Sequence, residues 1–195
     1  EESQPDISQL KNAAISGEIA WNSGSISEDR WRNQVAAAIA AINSGQLEKV
    51  VLARDISAHS TTEIDARQLI KRLEIEYPST WLFLVDGLVG ATPELLVRLN
   101  KSLVTSRVLA GTMRKTGDED RDLALAASLA KSSKDLEEHE YAVRSVADAL
   151  APFCTSTNVP ESPFVLHLAN VMHLATDVTG VINDATTPID IFALI

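Results

Sequence analysis

The chain has 195 residues, of which 45% are hydrophobic and 23% charged, with eight Gly and seven Pro. That balance excludes a low-complexity, collagen-like or wholly disordered polymer and fits one domain or part of a larger one. Seventeen Lys and Arg against 27 Asp and Glu leave a formal charge of −10, which repels phosphate backbones and anionic lipid and argues against nucleic-acid or membrane-surface binding.

Residues 1–26 show no sustained period and read as a lead-in to a domain over 27–195. Ser27 stands before Glu28 and Asp29 as a cap, and Trp31, Val35, Ala38, Ile39 and Ile42 follow at helical spacing until Gly45. Glu48 to Ala58 alternates like a strand, with Lys49, Val51, Ala53 and Asp55 on one face. A second helix is expected from about Asp65 to Tyr77, ended by Pro78. Trp81–Val85 and Leu88–Ala91 flank Asp86-Gly87, a strong hairpin signal. Leu95–Leu99 and Leu103–Leu109 form a further antiparallel pair around Asn100-Lys101. A charged loop over Thr116–Asp122 leads into an Ala-rich helix, Leu123–Ala130, and a longer helix spans Lys134–Leu150. Phe164–Ala169 and Val171–Val178 return to strand character, with Gly180 after them. Hairpins with interspersed helices predict an α+β fold, an antiparallel β-sheet with helices packed outside. A lone Cys154, an acidic start at Glu1–Asp6, and no apolar run near the roughly 18 residues of a bilayer span point to a cytoplasmic chain.

Four places hold polar residues that a sheet or helix would not need. Lys49 is either a solvated strand-edge lysine or an inward one, whose desolvation would make it a general base near neutrality. Glu94, in GATPELLVR, caps a turn in water or, held in a low-dielectric pocket, becomes a general acid. In the cluster Glu137, Glu138, His139 and Glu140, Glu138 shares a narrow face with Tyr141, Ala142, Ser145 and Ala149. That face is simply solvated, or it presents Glu138 to a hard cation such as Mg²⁺, with a second ligand from elsewhere. His167 and His173 lie in neighbouring strands, without a His/Cys quartet or HExxH to suggest zinc. His173 is the better pocket candidate, since Ala175 and Asp177 share its face.

Taken in order, EKVVLAR (48–54), GATPELLVR (90–98), SRVLAGTMRK (106–115), KDLEEHEYAV (134–143) and VMHLATDVTG (171–180) resemble the chorismate-utilising enzymes. That family includes isochorismate synthases, salicylate synthases, anthranilate synthase component I and aminodeoxychorismate synthase component I. The resemblance covers roughly residues 30–182 and is greatest to the isochorismate synthases. It implies a Mg²⁺-dependent reaction of chorismate in which water adds at C2 as the C4 hydroxyl leaves. It makes Lys49 the base and Glu94 the acid, puts Gly111 and Thr112 on the substrate, and makes Glu138 a Mg²⁺ ligand and His173 the pocket histidine. Lys49 sets the subfamily, because water needs a base and ammonia does not. Salicylate synthases, which go on to lose pyruvate, also carry the Lys and are the alternative. A non-catalytic remnant serving as an interaction module is a different class of answer, distinguished by whether partner binding outlives Lys49→Ala.

The departure lies at the carboxyl end, where the chain stops inside the apolar run Ile189–Ile195. Relatives continue there with the second Glu ligand and the Arg and Lys that hold the substrate carboxylates; Lys49, Arg114 and one Mg²⁺ are too few cations for a dianion. The expectation is part of a longer enzyme that does not turn over alone and, with open sheet edges, self-associates.

Overall fold

Local chemistry starts and stops the elements as the sequence suggests. The computed structural model describes residues 18–183; the run Ile189–Ile195 and the start of the lead-in lie outside them. Among the described residues, 18–68 form one compact unit and 69–183 another.

In the first unit, helix α1 (Glu28–Asn43) begins where the Ser27 side chain accepts the Arg30 backbone N–H. Strand β1 (Ile19–Ser23) pairs antiparallel with β2 (Ile56–Ser60). The strand expected over Glu48–Ala58 is therefore displaced and shortened, and β1 falls inside the segment read as a lead-in. Extended backbone needs a ladder partner, and among the described residues β1 offers one only to Ile56–Ser60. The ladder stops at the turn where Ser25 donates to Asp55 from its backbone N–H (2.9 Å) and its hydroxyl (2.7 Å).

The second unit takes up helix α2 (Ala66–Glu76) from Leu69 and then the hairpin β3 (Trp81–Val85) and β4 (Leu88–Thr92). Asp86 and Gly87 supply the two positive φ angles, 48° and 83°, that its two-residue turn demands. A five-stranded antiparallel sheet follows: β5 (Leu95–Asn100), β6 (Leu103–Arg114), β7 (Cys154–Asn158), β8 (Phe164–His167) and β9 (Val171–Ile182). Its order is β5-β6-β9-β7, with β8 also paired to β9. Strand β7 has no counterpart in the sequence reading; Thr155, Ser156, Thr157 and Asn158 are all exposed, so no alternation marks it. Gly180 lies within β9 rather than beyond it.

Helices α3 (Glu119–Leu129) and α4 (Ser133–Leu150) pack on one face of this sheet. Asp118 and Ser132 cap them, so α3 starts earlier than the Ala-rich run suggests. Val104, Val108, Val143, Leu150 and Val178 form one part of the core, and Ala126, Leu129, Met172 and Leu174 the other. The fold is α+β, with antiparallel sheets and helices outside.

Candidate active site

The central ladder carries the site. In β6, Val104, Ser106 and Val108 face the helices and are buried, opposite Gly180, Val178 and Thr176 of β9. Strict alternation would send Thr112 the same way. The register instead shifts between Ala110 and Thr112, so that Thr112 stands opposite His173. Gly111 is the extra residue, at φ +75°, and a bulge of this kind turns every later side chain to the other face. Thr112 and His173 thus meet on the face away from α3 and α4, with Thr112 Oγ1 3.0 Å from His173 Nδ1.

That contact orients the imidazole and reserves Nε2 for another partner. His173 also lines a cavity of about 380 Å³ with Leu73, Tyr77, Thr80 and the β4 segment Val89–Ala91 and Pro93. On the same face, Arg107 donates to both carboxylate oxygens of Asp177, at 2.7 and 2.8 Å, and stacks 5.8 Å from the Phe164 ring centroid. The bound carboxylate holds the Arg107 guanidinium above its ordinary pKa against the opposing effect of burial. Arg107 is therefore a cation already committed.

Glu94 follows Pro93 directly. Its backbone N–H donates to Thr92 Oγ1 at 3.1 Å, and it lines a separate cavity of about 350 Å³ with Leu95, Ser106, Arg107 and Val146. The side chain is exposed, so the low-dielectric enclosure expected around it is not built by the described residues. His167 pairs with Met172 while His173 pairs with Leu166, which puts the two histidines on opposite faces and removes any joint metal role.

On the helix side, Asp135 approaches the bulge. A Cβ added to Gly111 would sit 3.1 Å from Asp135 Cβ and 3.4 Å from Leu174 Cδ1. Glu138, half-buried, follows three residues later on α4 and so shares a face with Asp135. The next residue of α4, His139, is 2% exposed, with Nε2 2.8 Å from Thr176 Oγ1. Burial pushes its imidazole below its ordinary pKa, and the Ala110 backbone offsets part of that.

The structure therefore brings Gly111, Thr112 and His173 together, with Glu94 one residue beyond the cavity that His173 lines and Glu138 on α4, three residues after the Asp135 that approaches the bulge. Lys49 lies in the first unit, exposed and outside any strand, and its neighbour Val51 is 80% exposed. Sequence reasoning missed Asp135 and His139. The signals were available: Asp135 is i−3 from Glu138, and position 139 lies on the stripe Leu136, Val143, Val146.

No described group of three His, Cys, Asp or Glu side chains could hold a metal by itself. Among the described residues no helix is long and apolar enough to cross a membrane.

Comparisons with known proteins converge on one family. A family model described as chorismate binding enzyme matches residues 3–195. MenF of Mycobacterium tuberculosis (strain ATCC 25618 / H37Rv) is 38% identical over 159 residues, covering 75% of this chain and 43% of that protein. Isochorismate synthase EntC of Escherichia coli (strain K12) is 33% identical over 170 residues, covering 85% and 44%. The crystal structure of DhbC from Bacillus anthracis matches with a TM-score of 0.81 at 31% identity, covering 91% of this chain and 50% of that one. The chain thus spans less than half the length of the curated relatives it matches. It belongs to the chorismate-binding enzyme family.

Proposed function

We propose that this chain is the chorismate-binding part of an isochorismate synthase. The observation that carries the reading is the Thr112–His173 pair, set by the Gly111 bulge beside a cavity lined by the segment that leads to Glu94. The names of relatives such as EntC and the presence of Lys49 support it.

The chemistry then divides among this chain's own residues. Lys49 takes a proton from the water that attacks C2 of the ring. The two ring double bonds shift, and the C4 hydroxyl leaves as water after Glu94 gives it a proton. Lys49 ends protonated and Glu94 ionised, and exchange with solvent resets both, so the net change is an isomerisation. The Gly111 backbone and the Thr112 hydroxyl orient the ring, and His173 offers Nε2 to a substrate oxygen.

Mg²⁺ is the cofactor that this reading requires. Glu138 would hold it, with Asp135 on the same helical face, and two carboxylates with substrate oxygens and water suit that ion. When bound, it neutralises the ring carboxylate, which a chain of formal charge −10 could not otherwise attract.

The test is Lys49→Ala and Glu94→Gln in the full-length product of the reading frame that encodes this chain, with chorismate and Mg²⁺. Each is expected to lower turnover by about 10²–10⁴-fold with an unchanged circular dichroism spectrum. Full turnover in Lys49→Ala would overturn the proposal.

A further inference from the structure

His139 is the one buried side chain of α4 that is neither apolar nor fully satisfied. It is 2% exposed, and among the described residues its Nδ1 makes no hydrogen bond of good geometry, although the Ala110 backbone lies near enough to favour the protonated ring. A buried polar atom left unpaired costs free energy. Leucine at 139 together with valine at 176 would extend the apolar packing of Leu136, Val143 and Leu150 with no polar atom left unpaired, so stability alone does not explain the histidine.

Direction does. Apolar contacts between a helix and a sheet leave the helix free to roll or slide. The 2.8 Å contact between His139 Nε2 and Thr176 Oγ1 allows neither. Adjacent helical residues differ by about 100° in direction and 1.5 Å in rise, so any movement of Glu138 about the axis of α4 must break that contact. The anchor is also well placed, because Thr176 pairs with Val108, two residues before Ala110, and the register shift follows at once. One imidazole therefore ties α4 to the strand pair beside the bulge that aligns Thr112 with His173.

We propose that His139 is a positioning residue, holding Asp135 and Glu138 of α4 in register with the Gly111 bulge. Its value to catalysis rests on the reading of Glu138 as a Mg²⁺ ligand.

The experiment uses the full-length product of the reading frame that encodes this chain and compares the parent with His139→Leu, Thr176→Val, their combination, and His139→Gln, whose longer amide can still reach Thr176. Three readings are taken: thermal melting, Mn²⁺ binding by electron paramagnetic resonance, and amide hydrogen exchange without metal. His139→Leu is expected to melt lower than the parent because it leaves the Thr176 hydroxyl unpaired, to weaken Mn²⁺ binding about tenfold, and to speed exchange at Gly111, Thr112 and residues 135–138. Thr176→Val should do the same, the pair should melt near the parent while losing no less Mn²⁺ affinity than either alone, and His139→Gln should recover most of the loss. Unchanged affinity and exchange in His139→Leu would overturn the proposal, as would losses that only track a lower melting temperature. If the parent binds no Mn²⁺, the reading of Glu138 fails, while the exchange rates still decide whether His139 fixes the helix.

Discussion

Thr112 Oγ1 lies 3.0 Å from His173 Nδ1 because Gly111 is passed over by the ladder between β6 and β9. A single residue at φ +75° moves a hydroxyl from the helix-packed face of the sheet to the open one. Gly111→Ala should therefore do two things. It should destabilise the fold by about 1–3 kcal/mol, from a left-handed non-glycine residue and a Cβ 3.1 Å from Asp135 Cβ. It should also break the Thr112–His173 contact, seen as a changed His173 ring nitrogen shift in ¹⁵N NMR. A variant that melts normally with an unchanged His173 spectrum would show that the bulge does not set the pair.

The loop before α3 gives a pH dependence of known sign. Asp122, 6% exposed, accepts the Thr116 backbone N–H at 2.7 Å, the Thr116 hydroxyl at 2.8 Å and the Gly117 N–H at 3.3 Å. The Thr116 backbone bond leads in holding this carboxyl below its ordinary value of 3.8, against the opposing effect of burial. Folding thus lowers its pKa, so its stabilisation is complete above the unfolded value and is lost as pH falls through the folded one. Melting of the parent chain should fall more steeply than that of Asp122→Asn between about pH 5 and about pH 2. Parallel curves would contradict this.

Cys154 and Gly180 form a tight contact that is easily probed. A Cβ on Gly180 would meet Cys154 Sγ at 2.6 Å, and burial pushes the thiol above its ordinary pKa. As the sequence holds a single cysteine, alkylation by iodoacetamide reads this site alone. Reaction near neutral pH should be slower than for a free thiol, and Gly180→Ala should cost about 1–3 kcal/mol and speed it. Fast labelling of the parent would contradict the packing.

What the sequence made legible follows from how local each signal is. Helix α1 declares itself through Ser27 and α4 through a 3.6-residue apolar stripe, and the β3–β4 turn through Asp86-Gly87, all features contained within a few residues. Strand β7 is polar on every side but Cys154, and it exists because β9 lies beside it, which no local pattern records. The same reason displaced the strand expected at Lys49: Lys49, Val51 and Ala53 alternate correctly, yet the segment takes up no strand and the ladder with β1 runs over Ile56–Ser60 instead. At the site, Gly111, Thr112 and His173 could be named from the family resemblance, but the face on which they meet depends on one bulge that alternation would have predicted wrongly. His139 was visible as a letter in a charged cluster. Its burial against Thr176 is a tertiary fact.

The most direct measurement is a proton NMR time course of chorismate and Mg²⁺ with the full-length product of the reading frame that encodes this chain. The predicted result is isochorismate, growing to an equilibrium mixture with chorismate and stopping when the metal is chelated. Salicylate with pyruvate, or chorismate left unchanged by a folded protein, would contradict the assignment.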